Sequence, residues 1–160
     1  MTIKVGDKIP EGTLTQMTEK GPAPISTSEL FGGKKVVLFA VPGAFTPTCS
    51  AKHLPGFVQN ADAIKAKGAD VIACMAVNDV FVMNAWGKDQ NVGEKVLMLA
   101  DGSGNFTKEL GLELDLSGLG LGHRSQRFSL IAEDGVVTHL NTEEGGAFQN
   151  SSAEVALGQL

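Results

Sequence analysis

Apolar residues change their spacing several times along this chain, and each change marks an element. Thr13–Thr18 (TLTQMT) alternates weakly, as an edge strand does. The following GPAPISTSELFGG reads as turn chemistry around a short capped segment. Lys34–Val41 is apolar without alternation, which predicts a strand buried on both faces in the middle of a sheet. From Thr48 to Lys67, Leu54, Phe57, Val58, Ala61 and Ile64 recur at helical spacing, and Gly68 supplies a C-terminal stop. Pro55 falls inside that pattern, so the helix is expected to be kinked or irregular within two turns of Cys49.

Asp70–Val77 (DVIACMAV) is a second buried strand, followed by Asn78–Asp79 as a cap and a helix to about Gln90. Lys95–Ala100 (KVLMLA) is a third strand, DGSGN a turn, and FTKELGLEL (Phe106–Leu114) a short helix. RFSLIA and VVTHL flank the acidic-Gly turn EDG and predict a hairpin. Ser151, with Glu154 three residues on, predicts a capping box for a terminal helix. Strand–helix–strand units pair their strands in parallel with helices on both faces, and the hairpin adds antiparallel strands. The expected fold is an α/β three-layer sandwich of thioredoxin-like type with a mixed central sheet, one domain over residues 1–160.

Composition narrows the functional classes. Thirteen Lys and Arg against 18 Asp and Glu give a net charge of −5, which argues against nucleic acid or an anionic membrane as partner. No apolar run approaches the ~20 residues of a membrane helix. MTIKVGDKIPEGT has neither an apolar h-region nor an Arg-rich amphipathic pattern, so no targeting segment is read there. Two cysteines do not make a secreted disulfide framework. The expected location is the cytoplasm, unless an organellar presequence was removed ahead of this chain.

The chemistry concentrates in VPGAFTPTC, residues 41–49. Cys49 falls in the first turn of a helix that starts just after a central strand. There, unpaired N–H groups and the positive end of the helix dipole favour a thiolate, the reactive form of cysteine. Pro42 and Pro47 fix φ and shape the loop in advance. Thr46 brings a hydroxyl that can donate to the sulfur or a bound oxygen, or accept from one of them. Such a set suits attack on a small electrophile. A small buried hydrophobe is the commoner role of a free cysteine, but it needs neither a helix N-terminus nor a Pro–Thr–Pro frame.

Pro42, Thr46 and Cys49 stand as P-x-x-x-T-x-x-C, and the chain here resembles the peroxiredoxins, in particular the type II, peroxiredoxin-5-like subfamily. The resemblance continues through KGADVIACMAVND, WGK, LMLAD and RSQRFSLIAEDGVV, nearly the whole chain. It implies that Cys49 is the peroxidatic thiolate, Thr46 a hydrogen-bond partner of the peroxide and Pro42 a shield of the sulfur. It implies further that an arginine arrives from a distant strand. Arg127, directly before Phe128, matches the family's position; Arg124 is the other candidate, weighed more as a solvated strand-end charge. The implied activity is a cofactor-free reduction of hydrogen peroxide and small organic hydroperoxides through a sulfenic acid. The implied assembly is a homodimer with its contact near the active-site loop, to which Phe45, Phe81 and Trp86 could contribute unless they are core.

Other constellations carry less. Cys49 and His53 stand i, i+4, a spacing that pairs a nucleophile with a helper, but no third ligand completes a metal site and no metal is expected. GLGLG lacks the spacing of a phosphate loop. Cys74 sits among apolar neighbours in VIACMAV and reads as buried. Many relatives use a second cysteine near the C-terminus, whereas EEGGAFQNSSAEVAL has none. Resolution of the sulfenic acid is therefore expected from an outside thiol, glutathione with glutaredoxin or else thioredoxin, with Cys74 as the alternative in some plant-type relatives. A redox sensor that binds partners with little turnover is the competing function. It would not need Thr46 paired with Arg127.

Overall fold

The computed structural model describes residues 2–144 and 147–160. Its strands are β1 (Thr13–Thr18), β2 (Gly21–Ser26), β3 (Lys35–Ala40), β4 (Val71–Ala76), β5 (Leu97–Ala100), β6 (Glu113–Leu116), β7 (Gly122–Ser125), β8 (Phe128–Glu133) and β9 (Val136–Thr142). The α-helices are α1 (Thr27–Phe31), α2 (Leu54–Ala66), α3 (Val80–Asp89), α4 (Asn105–Leu110) and α5 (Ala153–Gln159). Seven strands form one sheet in the order β2-β1-β5-β4-β3-β8-β9. β3, β4 and β5 run parallel; β1 and β8 flank them antiparallel. This is the mixed sheet of a thioredoxin-like fold.

The unbroken apolar run of β3 has the cause the sequence suggests. Val37 and Phe39 face a core with Leu54, Phe57 and Ile64 of α2, Met83 and Trp86 of α3, and Ala153 and Ala156 of α5. Val36 and Leu38 face the opposite core, closed by Leu30 and Phe31 of α1 and Phe106 and Leu110 of α4. Full burial of each Leu or Phe contributes about 1.5–3 kcal/mol, so a polar residue on either face of β3 would be felt. The β8–β9 turn is tight because Asp134 and Gly135 take φ of 48° and 77°, a primed turn that suits Asp-Gly. No described helix is long and apolar enough to cross a membrane.

Three sequence expectations need correction. The GPAPIS stretch is strand β2, paired with β1 from Gly21↔Thr18 to Ser26↔Thr13. Pro22 and Pro24 are tolerated because β2 is an edge strand. The helix read over Phe106–Leu114 ends at Leu110, where Gly111 turns left-handed at φ 72°, and Glu113–Leu116 instead pairs with β7. Ser152, not Ser151, caps α5 by accepting from the Val155 N–H. The Ser151 hydroxyl is occupied elsewhere.

Candidate active site

Strand register brings distant residues to one end of the sheet. Ala40 at the end of β3 lies opposite Phe128 at the start of β8. The loop after β3 and Arg127 before β8 therefore leave the sheet side by side. In that loop Ala44 donates its N–H to Asn78 Oδ1 at 2.9 Å, and the Thr46 hydroxyl donates to the Gly43 carbonyl at 2.7 Å. Phe45 holds φ +64°, a left-handed conformation rare for a bulky residue. Glycine at 43 lets Arg124 close on the loop: a Cβ there would lie 2.9 Å from Arg124 Nη1 and 3.2 Å from Thr46 Cγ2, so the guanidinium would have to shift.

Helical backbone begins at Pro47, and the Thr46 carbonyl accepts from the Ser50 N–H at 3.0 Å, so Cys49 does sit in a first turn. The turn then widens. Cys49–His53 is π-helical, with the Leu54 N–H reaching the Cys49 carbonyl five residues back. Pro55 offers no N–H and its ring crowds the carbonyl four residues earlier, which a wider turn relieves. The irregularity expected from Pro55 thus falls on the segment that starts with the thiol.

Cys49 is buried, and Arg127 Nη2 donates to its Sγ at 3.1 Å. The same guanidinium meets His53 Nδ1 at 2.8 Å through Nη1, while His53 Nε2 lies 2.9 Å from the Ser151 carbonyl. A carbonyl only accepts and a guanidinium only donates, which fixes the neutral tautomer with its hydrogen on Nε2. Burial, then the Arg127 cation beside it, lowers the His53 pKa to about 3. Phe148 packs on both partners, its ring centroid 5.0 Å from that of His53 and 5.8 Å from Arg127 Cζ. Below them Phe39 and Phe57 stack with centroids 3.9 Å apart.

The other candidates separate clearly. Arg124 is half-buried on β7 and donates to the carbonyls of Leu121 at 2.8 Å and Pro42 at 3.4 Å, so it braces the loop and is no freely solvated charge. The Thr46 proton is committed to Gly43, not to the sulfur, which leaves its oxygen as an acceptor. Trp86 is core: it is buried, and its Nε1 donates to Ser50 Oγ at 3.0 Å. Phe45 and Phe81 are exposed at 52% and 65%. Cys74 is buried in β4, in the same cluster as Cys49, and burial followed by the neighbouring Cys49 pushes its thiol pKa well up. Sequence reasoning missed Phe148, Ser151 and Glu143, which lie in a polar, turn-rich stretch with no periodicity to mark them.

A buried thiol facing a guanidinium at the end of a thioredoxin-like sheet defines a thiol-based oxidoreductase, and a match to Redoxin spans residues 4–157. The chain belongs to that family. Within it, it falls among the type II peroxiredoxins, thiol peroxidases. It is 55% identical to the chloroplastic Peroxiredoxin-2E of Arabidopsis thaliana over 99% of this chain and 70% of that protein. It is 52% identical to Arabidopsis Peroxiredoxin-2B over 99% of this chain and 98% of that one. Among solved structures, reduced Prx3 from Vibrio vulnificus in complex with hydrogen peroxide matches with a TM-score of 0.95 at 55% identity, covering 99% of both chains.

Proposed function

We propose that this chain, as one domain, reduces hydrogen peroxide and small organic hydroperoxides at Cys49, with an outside thiol returning the enzyme to its reduced state. The observation that carries the reading is the 3.1 Å contact from Arg127 Nη2 to Cys49 Sγ, held inside the protein where water does not screen it. The sulfur as thiolate attacks the terminal oxygen of R–O–O–H. The S–O bond forms as the O–O bond breaks, giving a sulfenic acid and an alkoxide, or hydroxide, that takes a proton from water. Arg127 stabilises the negative charge on the sulfur and then on the leaving oxygen, and its planar fork can serve both. With its proton given to Gly43, Thr46 Oγ1 accepts the peroxide O–H and orients the attacked oxygen. Pro42 shields the sulfur from bulk water. No cofactor takes part in these steps.

Glutathione, followed by glutaredoxin, is the proposed reductant; thioredoxin is the second choice. The described C-terminal residues offer no thiol, and Cys74 is buried. The exposed Phe45 in the active-site loop and the exposed Phe81 on α3 suit a homodimer contact. Two free cysteines fit a reducing compartment, proposed as the cytoplasm. The reading is supported by the relative from Vibrio vulnificus, solved with hydrogen peroxide. The test is turnover: with glutathione and glutaredoxin supplied, the protein should consume many equivalents of peroxide. Consumption of a single equivalent, with any of these reductants, would mark a sensor and end the proposal.

A further inference from the structure

Three successive backbone N–H groups, those of Gln149, Asn150 and Ser151, point at one oxygen, Glu143 Oε2, each at 2.9 Å. The Ser151 hydroxyl adds a fourth donor at 2.6 Å. Glu143 is only 7% exposed, and its second oxygen, Oε1, is buried with no partner among the described residues. Such convergence of amides is an anion-binding concavity, filled here by the chain's own carboxylate. Leaving one carboxylate oxygen buried and unpaired is unfavourable, so the arrangement is not one a solvated surface charge would adopt.

Both ends of Glu143 lead to the sulfur. Its backbone N–H donates to the Arg127 carbonyl at 3.2 Å. The segment its carboxylate gathers brings the Ser151 carbonyl to His53 Nε2, and Phe148 against His53 and Arg127. That carbonyl is the acceptor of the Nε2–H; without it the hydrogen is buried with no partner, and only Arg127 on Nδ1 still favours this tautomer. The other tautomer would turn an N–H toward Arg127 Nη1, donor against donor, and push the guanidinium off the sulfur.

We propose that Glu143 is a positioning residue for the reaction at Cys49: its carboxylate gathers residues 149–151, which fix the His53 tautomer and through it the Arg127 guanidinium on the sulfur. The inference rests on the peroxidase reading only for the identity of the oxidant. A double-mutant cycle tests it, built from Glu143→Ala and Arg127→Lys in a Cys74→Ser background so that one thiol remains. Two rates are read: alkylation of Cys49 by iodoacetamide, which needs no peroxide, and its first oxidation by hydrogen peroxide.

Glu143→Ala should slow both roughly tenfold beside Arg127, since small misplacements of a reacting group cost at least that. In the Arg127→Lys background it should change them within about twofold. Nitrogen-15 spectra of the His53 ring should also lose the single Nε2–H tautomer. Equal slowing in both backgrounds, or an unchanged tautomer, overturns the proposal. Where Glu143→Ala fails to fold, Glu143→Gln takes its place under the same criteria, because it removes the charge that strengthens all four bonds. A coupled cycle in a protein that does not turn over peroxide would sink the peroxidase reading alone; an additive cycle in a working peroxidase would sink this one alone.

Discussion

Arg127 Nη2 lies 3.1 Å from Cys49 Sγ although 78 residues separate the two in sequence. The contact exists because β3 and β8 are antiparallel neighbours whose ends are in register, and because His53 occupies the other arm of the guanidinium. Arg127→Lys keeps the charge but cannot reach sulfur, histidine and a peroxide oxygen at once from a single ammonium. The first oxidation should slow by about tenfold or more, the worth of a charge-assisted hydrogen bond. Arg124→Lys, whose partners are the Leu121 and Pro42 carbonyls, should slow it less. Stopped-flow rates in the reverse order would mean that the wrong arginine has been chosen.

Cys49→Ser should abolish peroxide reduction, whereas Cys74→Ser should leave the first oxidation nearly intact. Only Cys49 faces the guanidinium, and burial of Cys74 opposes its ionisation. Single-turnover oxidation followed by intact mass separates the two variants. Equal loss in both would defeat the assignment.

Thr46→Val should slow the reaction roughly tenfold, by leaving the peroxide O–H without its acceptor in a buried site. Thr48→Val should be nearly silent, because the Thr48 side chain makes no capping bond. Since Thr46 also closes the turn onto Gly43, Thr46→Ser is the control: it keeps the hydroxyl and should keep most of the rate. A Thr46→Val enzyme as fast as wild type would remove the residue from the mechanism.

His53 should make the fold acid-sensitive. Its pKa falls from 6.5 to about 3 on folding, so below pH 6.5 the unfolded chain binds a proton that the native state refuses. Its contribution is complete above pH 6.5 and is lost as pH falls toward about 3, at up to ~1.4 kcal/mol per pH unit. Urea midpoints between pH 6.5 and 5, above the range of most carboxylates, should drop more for wild type than for His53→Gln. Parallel curves would show that His53 is protonated in the native state.

What was legible in the sequence follows what was local. β3 could be read because both its faces are buried, and the break after Cys49 because a proline cannot donate. Cys49, Thr46 and Pro42 lie within eight residues, so their association needed no tertiary knowledge. Arg127 was placed by resemblance; nothing in its spacing says that β8 lies beside β3. β2 was hidden by Pro22 and Pro24, which an edge strand tolerates but a pattern reads as a turn. The helix read over Phe106–Leu114 overran a left-handed Gly111, after which Leu112 and Leu114 already stand at a strand's i, i+2 spacing. Ser151 looked like a cap until the structure gave its hydroxyl to Glu143, a partner eight residues away that only the return of β9 provides.

The sulfenic acid at Cys49 should be resolved from outside the chain. Cys74 lies in the same core cluster, but it is fixed in a central strand opposite Phe39, and its buried thiol resists the ionisation that attack requires. A disulfide needs the two Cα atoms within about 7 Å and the Cβ vectors facing, and a partner fixed in a buried strand is expected to need local opening to meet the oxidised sulfur. Cys49 is buried too, but a small thiol needs only the first turn of one helix and its loop to open, not a central strand. It would attack the sulfenic sulfur, release water and leave a mixed disulfide for a dithiol protein to reduce. Peroxide plus glutathione should therefore give a glutathione adduct on Cys49 by intact mass, and peroxide alone should drive the residue on to sulfinic acid. Rapid, quantitative loss of two hydrogens instead, with a Cys49–Cys74 peptide after digestion, would show that the protein resolves itself and that β4 opens more easily than its packing indicates.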